Sequence, residues 1–137
     1  MARGQLVKVM DIEKFTQIAD EEAKKMPQEF YKELTGGIII DEKEYLSENA
    51  VKNDLFVLGQ YHTGQTGKWI TLYYGSFIKV FSYLNEDEMR EQIAHTIKHE
   101  FRHHLENLAG IHGKDSLEAE DRKQYYEYIS KHETISD

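Results

Sequence analysis

The run from Asn85 to Ala109 constrains this chain most. Met89, Ile93, Ile97, Phe101, Leu105 and Leu108 recur through it at three- and four-residue intervals, which places them on one face of an α-helix. Asn85 and Glu88 stand as N-cap and N3 of a capping box. Gly110 stands where a left-handed residue can end the helix. A helix of this length must bury its stripe, so the rest of the chain has to fold against it.

Asp11 to Lys25 predicts a helix, capped by Asp11, with Ile12, Phe15, Ile18 and Ala19 at helical spacing. Pro27 suits the first turn of a second helix, Gln28 to Leu34, ended by Gly36-Gly37. Ile38-Ile39-Ile40 begins a short strand. Leu55 to His62 and Trp69 to Phe81 predict two strands joined at the glycine-containing turn Thr63 to Lys68, hence an antiparallel hairpin. In the second strand Ile70, Leu72, Tyr74, Ile78 and Val80 face the core, and Gly75 marks a bulge or a close backbone approach. A last helix is expected over 117–131. The order of elements predicts an α+β fold in one domain, 1–137, with a small antiparallel or mixed sheet packed against the long helix and its neighbours.

The long helix carries His99-Glu100-Phe101-Arg102-His103, an HExxH pattern. Histidines one turn apart can converge on one zinc ion at about 2.0–2.1 Å from each nitrogen. Glu100, about 100° further round the helix than His99, can reach a water beside the metal without ligating it, as a general base must. The histidines lie roughly 160–200° from the apolar stripe, so they project away from the core. A shuffled chain of this composition shows the pattern in roughly one case in twenty, so the helical setting carries the weight.

His95 extends the series, but it lies about 12 Å along the axis from His103, too far to share its ion. Only the pair His99 and His103 has Glu100 between its members. His104 points about 100° from His103 and is expected to pack or to make a supporting hydrogen bond. A third ligand is needed. Glu106 is a distant candidate on the same helix, and His112, Asp115, Glu118, Glu120 and Asp121 follow Gly110, where the chain can turn back. Asp115 can equally cap the last helix with Glu118 at N3.

Leu55–His62, Tyr73-Tyr74-Gly75-Ser76-Phe77 and above all Thr96 to Gly110 resemble the minimal zincins, a bacterial family of small metallopeptidases. The resemblance covers about 12–128. It implies a short zincin-like fold and zinc held by His99, His103 and an aspartate after a glycine, which matches Gly110 and Asp115. This chain has extra residues before and after that glycine, which keeps His112 as an alternative.

The chain has no cysteine, so disulfides and thiolate ligands are excluded. With 25 acidic against 17 basic residues and a net charge of −8, it repels phosphate backbones. Nucleic acid is therefore not the expected partner, and a metal-dependent nuclease is disfavoured. No apolar run reaches the length of a membrane span or reads as a signal peptide, which makes cytoplasm the default compartment. The expected function is zinc-dependent hydrolysis of a peptide or protein substrate, with Glu100 as base. The alternative is a metal-binding or regulatory protein that keeps the fold without turnover. An extended substrate would pair with an edge strand, expected in Trp69–Phe81, where Tyr73 or Tyr74 could offer a hydroxyl to the oxyanion.

Overall fold

The computed structural model describes residues 9–48 and 55–116, with side chains as far as Gly110. Helix α1 spans Ile12–Lys24, and the Asp11 carboxylate accepts from the Lys14 backbone N–H at 2.8 Å, as a cap should. Phe15, Ile18 and Ala19 are buried beneath it. The predicted helix after Pro27 is only a 3-10 turn, Gln28–Tyr31. Glu33 takes a left-handed φ of 63°, which turns the chain away before an α-helix can form.

Strands β1 (Gly37–Asp41), β2 (Gly59–Gly64) and β3 (Gly67–Tyr73) form one sheet in the order β1-β3-β2. The β2–β3 hairpin is antiparallel, in register from Gly59↔Leu72 to Gly64↔Gly67, while β1 runs parallel to β3. The sheet is thus mixed and β3 is central, not the expected edge. Ahead of β2, Phe56 makes a lone bridge to Leu46.

The sequence predicts that the second strand reaches Phe81. Instead β3 ends at Tyr73 and helix α2 follows at Tyr74–Phe81. Tyr74, Phe77, Ile78 and Phe81 are spaced i, i+3, i+4 and i+7, a helical set that alternation concealed. Phe77 is buried against Phe15, ring centroids 5.0 Å apart. The close approach expected at Gly75 is real: a Cβ there would lie 2.4 Å from the Glu44 backbone nitrogen.

Helix α3 runs over Glu86–Ser116. Its start is the predicted capping box, with the Glu88 N–H donating to Asn85 Oδ1 at 2.8 Å and the Asn85 N–H donating to Glu88 Oε1 at 3.0 Å. All six stripe residues are buried. They face α1 on one side and β2 and β3 on the other. Gly110 does not stop the helix. A mid-helix glycine costs only about 0.5–1 kcal/mol relative to alanine, and Leu105, Leu108 and Ala109 are anchored in the core just before it.

Arg90 of α3 grips α1 through Glu21 and Glu22, each at 2.8 Å, and Lys25 reaches Glu22 at 2.7 Å. Burial pushes the Glu22 carboxyl up, but the Lys25 and Arg90 hydrogen bonds outweigh it and hold the group below its ordinary 4.5. A depressed folded-state pKa adds stability that is complete above the unfolded value and is lost as pH falls through the folded one. The stability gap between wild type and Glu22→Gln should therefore shrink as urea unfolding is moved from pH 7 to below pH 4.5. A gap that stays constant would contradict this ion pair.

Among the described residues, no helix is long and apolar enough to cross a membrane.

Candidate active site

The polar face of α3 and strand β2 enclose a cleft of about 700 Å³. Val57, Gly59, Gln60, Tyr61 and Thr63 line it from the strand side; His99, Glu100, His103, Glu106 and Asn107 line it from the helix. A groove of about 320 Å³ continues it past His99 and Glu100 to His95, Thr96 and Phe56. Gly59 lets the two elements approach, since a Cβ there would fall 2.7 Å from Thr96 Cγ2.

The helical spacing of His99 and His103 places Nε2 of one ring 3.1 Å from Nε2 of the other, with the rings at 88°. Two nitrogens bound to one tetrahedral zinc at about 2.0–2.1 Å lie roughly 3.3 Å apart. The pair is therefore within a few tenths of an ångström of a two-ligand geometry. His103 turns its other nitrogen, Nδ1, toward Glu106 Oε1 at 3.4 Å. A carboxylate behind a ligating imidazole orients the ring and raises its basicity.

Glu100 is the buried member of the motif, 6% exposed. Burial pushes its carboxyl above the ordinary value, and the nearby His99, His103 and Tyr61 backbone N–H pull it partly back. A carboxylate raised in this way is a stronger base when ionised. Phe101, inside the motif, serves the fold: it is fully buried, its ring 4.9 Å from that of Tyr31 and 6.1 Å from that of Phe30.

His104 is fully buried. Its Nε2 lies 2.7 Å from the Lys32 carbonyl and its Nδ1 2.8 Å from the Tyr61 hydroxyl. It thus has the supporting role expected of it. Burial lowers its pKa, so the ring is neutral near pH 7. Tyr61 is pushed up to about 12, first by burial and then by the charge of Glu33. Neither Tyr61 nor Asn107 was picked out by the sequence. Each belongs to no local motif, and Tyr61 meets His104 across 43 positions.

Other expected site residues lie elsewhere. Tyr73 donates to Gln60 Oε1 at 2.9 Å, and Tyr74 donates to the Met10 carbonyl at 2.6 Å. Neither lines the cleft, so neither is placed to serve an oxyanion. His62 stacks on Trp69 and meets Thr71 Oγ1 at 3.1 Å. Among the described residues, no group of three or more His, Asp or Glu is arranged to hold an ion. The return of the chain after Gly110, which was to carry a third ligand back, does not occur there. The backbone of Asp115 and His112 continues α3, Asp115 roughly 18 Å along the axis from His103. Their side chains, together with Glu118, Glu120, Asp121, Tyr125, Tyr126 and Tyr128, lie outside the described residues.

Strand β2, with β3 on one side only among the described residues, thus faces the helix that carries His99, Glu100 and His103. The chain belongs to the zincin-like metallopeptidase family, whose model matches residues 39–122, more than half of its length. A solved structure titled "Conserved hypothetical protein", from Thermo thermophilus, is similar, with a TM-score of 0.64 and 28% identity. The match covers 73% of this chain and 98% of that one. No curated protein matches the chain.

Proposed function

We propose that the chain is a zinc-dependent peptidase whose general base is Glu100. The observation that carries this is the 3.1 Å approach of the His99 and His103 Nε2 atoms beside the buried Glu100 carboxylate in an open cleft. His99 and His103 would hold the ion, and Glu106 would fix the His103 ring. Zinc, when bound, lowers the pKa of water and polarises a carbonyl. Glu100 accepts the proton of the attacking water and passes it to the departing amide nitrogen.

The substrate is an extended peptide laid along β2, the sheet edge beside α3. The Tyr73 N–H donates to the Leu58 carbonyl at 2.8 Å, which sets the alternation of the antiparallel ladder. Gln60 and His62 bond inward to β3, so Gly59, Tyr61 and Thr63 turn their backbone groups outward into the cleft.

The third ligand is assigned by substitution. Helix α3 carries the Asp115 backbone away from His103, so Asp115→Ala should leave zinc affinity at the wild-type level, and a loss of affinity would assign Asp115 as the ligand over the other downstream groups. For the pair itself, elemental analysis of purified protein should find zinc near one ion per chain in wild type and close to none in His99→Ala. Equal, near-zero metal in both would remove the hydrolase assignment.

A further inference from the structure

We infer that the end of the cleft lined by Thr63, Glu106 and Asn107 is a subsite for a cationic group of the substrate, an ammonium or a guanidinium, received by the Asn107 amide oxygen and the Glu106 carboxylate. This names a substrate class for the proposed peptidase and rests on that reading. The amide orientation follows from one fixed point. The Lys32 carbonyl can only accept, so the 2.7 Å contact puts a proton on His104 Nε2. The ring is fully buried and meets a carbonyl and a phenol but no carboxylate, so it is neutral and its Nδ1 is bare. The 2.8 Å contact at Nδ1 therefore takes the Tyr61 hydroxyl proton. Asn107 Oδ1 stands 3.1 Å from the same hydroxyl, which has no second proton to give. A half-turn of the amide satisfies the pair: its NH₂ donates to the phenol oxygen, and its own oxygen takes the opposite side.

That opposite side is the cleft, which Asn107 lines. The Asn107 side chain makes no other hydrogen bond among the described residues. No buried side-chain nitrogen or oxygen among them lacks a partner, so the far end of the amide is open and not enclosed in protein. The half-turn thus replaces two donors facing the cleft by an acceptor. Glu106, the next residue on α3, lines the same end with its side chain 44% exposed. Its Oε1 faces His103 Nδ1 at 3.4 Å, which leaves the second oxygen and the negative charge to the cleft. No lysine or arginine lines the cleft. Lys68, across from Thr63 in the hairpin, lies 3.7 Å from Glu33. Acceptors beside a negative charge attract a cationic donor and repel an acidic side chain.

Long-range 1H–15N NMR of the histidine rings should show His104 protonated at Nε2 and bare at Nδ1. The opposite tautomer, or a doubly protonated ring, frees the Tyr61 proton for Asn107 and overturns the assignment. Binding is read by fluorescence anisotropy on full-length Glu100→Gln protein with zinc supplied, so that the peptide is not cut. The probe is a dye-labelled, end-capped alanine–serine peptide with one central lysine; a second peptide carries Nε-acetyllysine in its place. A third has no lysine and a free N-terminal amine, which tells a terminal ammonium from a side chain as the occupant. At least one cationic peptide should bind about fivefold tighter than the acetylated one. That ratio should fall toward one when Asn107→Leu or Glu106→Gln is added. Glu91→Gln, an exposed charge of α3 outside the cleft, should leave it unchanged. Three results refute the subsite: no preference for either cation, a preference that survives both variants, or an equal loss in Glu91→Gln. If Asn107→Leu fails to fold, Glu106→Gln keeps the test decisive. Absence of zinc from the protein would instead defeat the peptidase assignment and leave these binding ratios standing.

Discussion

Glu100→Gln should keep its zinc and lose its hydrolytic rate. Glutamine preserves the length and one acceptor oxygen, but it cannot take a proton from water. General-base catalysis contributes about 10²–10⁴-fold, so cleavage of fluorescently labelled casein by the zinc-loaded variant should fall by that order. Metal content should stay at the wild-type level, because the imidazole pair is untouched. An unchanged cleavage rate with metal retained would show that Glu100 is not the base. No cleavage by either protein, with metal bound in both, would favour a metal-binding protein without turnover.

Phe101→Ala should remove a large part of the stability. Phe101 lies inside the motif, but it is fully buried between Phe30 and Tyr31. Truncating a buried phenylalanine costs about 3–5 kcal/mol through lost transfer energy and the cavity left behind. Marginal domains have only about 5–15 kcal/mol in total, so urea denaturation should show a midpoint much closer to zero. A cost under about 1 kcal/mol would mean that the 3-10 segment collapses onto α3 and fills the space. The contrast with Glu100→Gln is instructive: neighbouring residues of one motif point about 100° apart on one helix, one into the cleft and one into the core, and their losses fall on different properties.

That division was legible because α3 states it twice. The apolar stripe and the capping box locate the helix, and the helical period puts His99 and His103 on the other face. The β2–β3 hairpin was legible for a similar reason, since its turn and its alternation are both local. The helix α2 was not: Tyr74, Phe77, Ile78 and Phe81 satisfy helical spacing, while Tyr74, Ile78 and Val80 satisfy alternation. Packing of Phe77 on Phe15 decides between them. The parallel pairing of β1 with β3 joins segments distant in sequence, so no local pattern announces it. It is also what places β3 in the middle and leaves β2 as the edge. Gly110 carried a stop signal that the buried residues before it override. Tyr61 and Asn107 were invisible because their roles exist only once β2 lies against α3.

The register of β2 against β3 also limits what the proposed peptidase could hold. Along the outer rim of β2, Gly59, Tyr61 and Thr63 turn their backbone groups away from β3, while Gln60 and His62 bond inward. The outer two of these, Gly59 and Thr63, are four residues apart, about 14 Å in an extended strand. A chain paired to that rim would therefore be gripped over one short extended stretch beside Glu100. Such a protein should select for stretches of unfolded polypeptide by their extension, with a footprint of only a few residues, and should leave compact helical or knotted segments untouched.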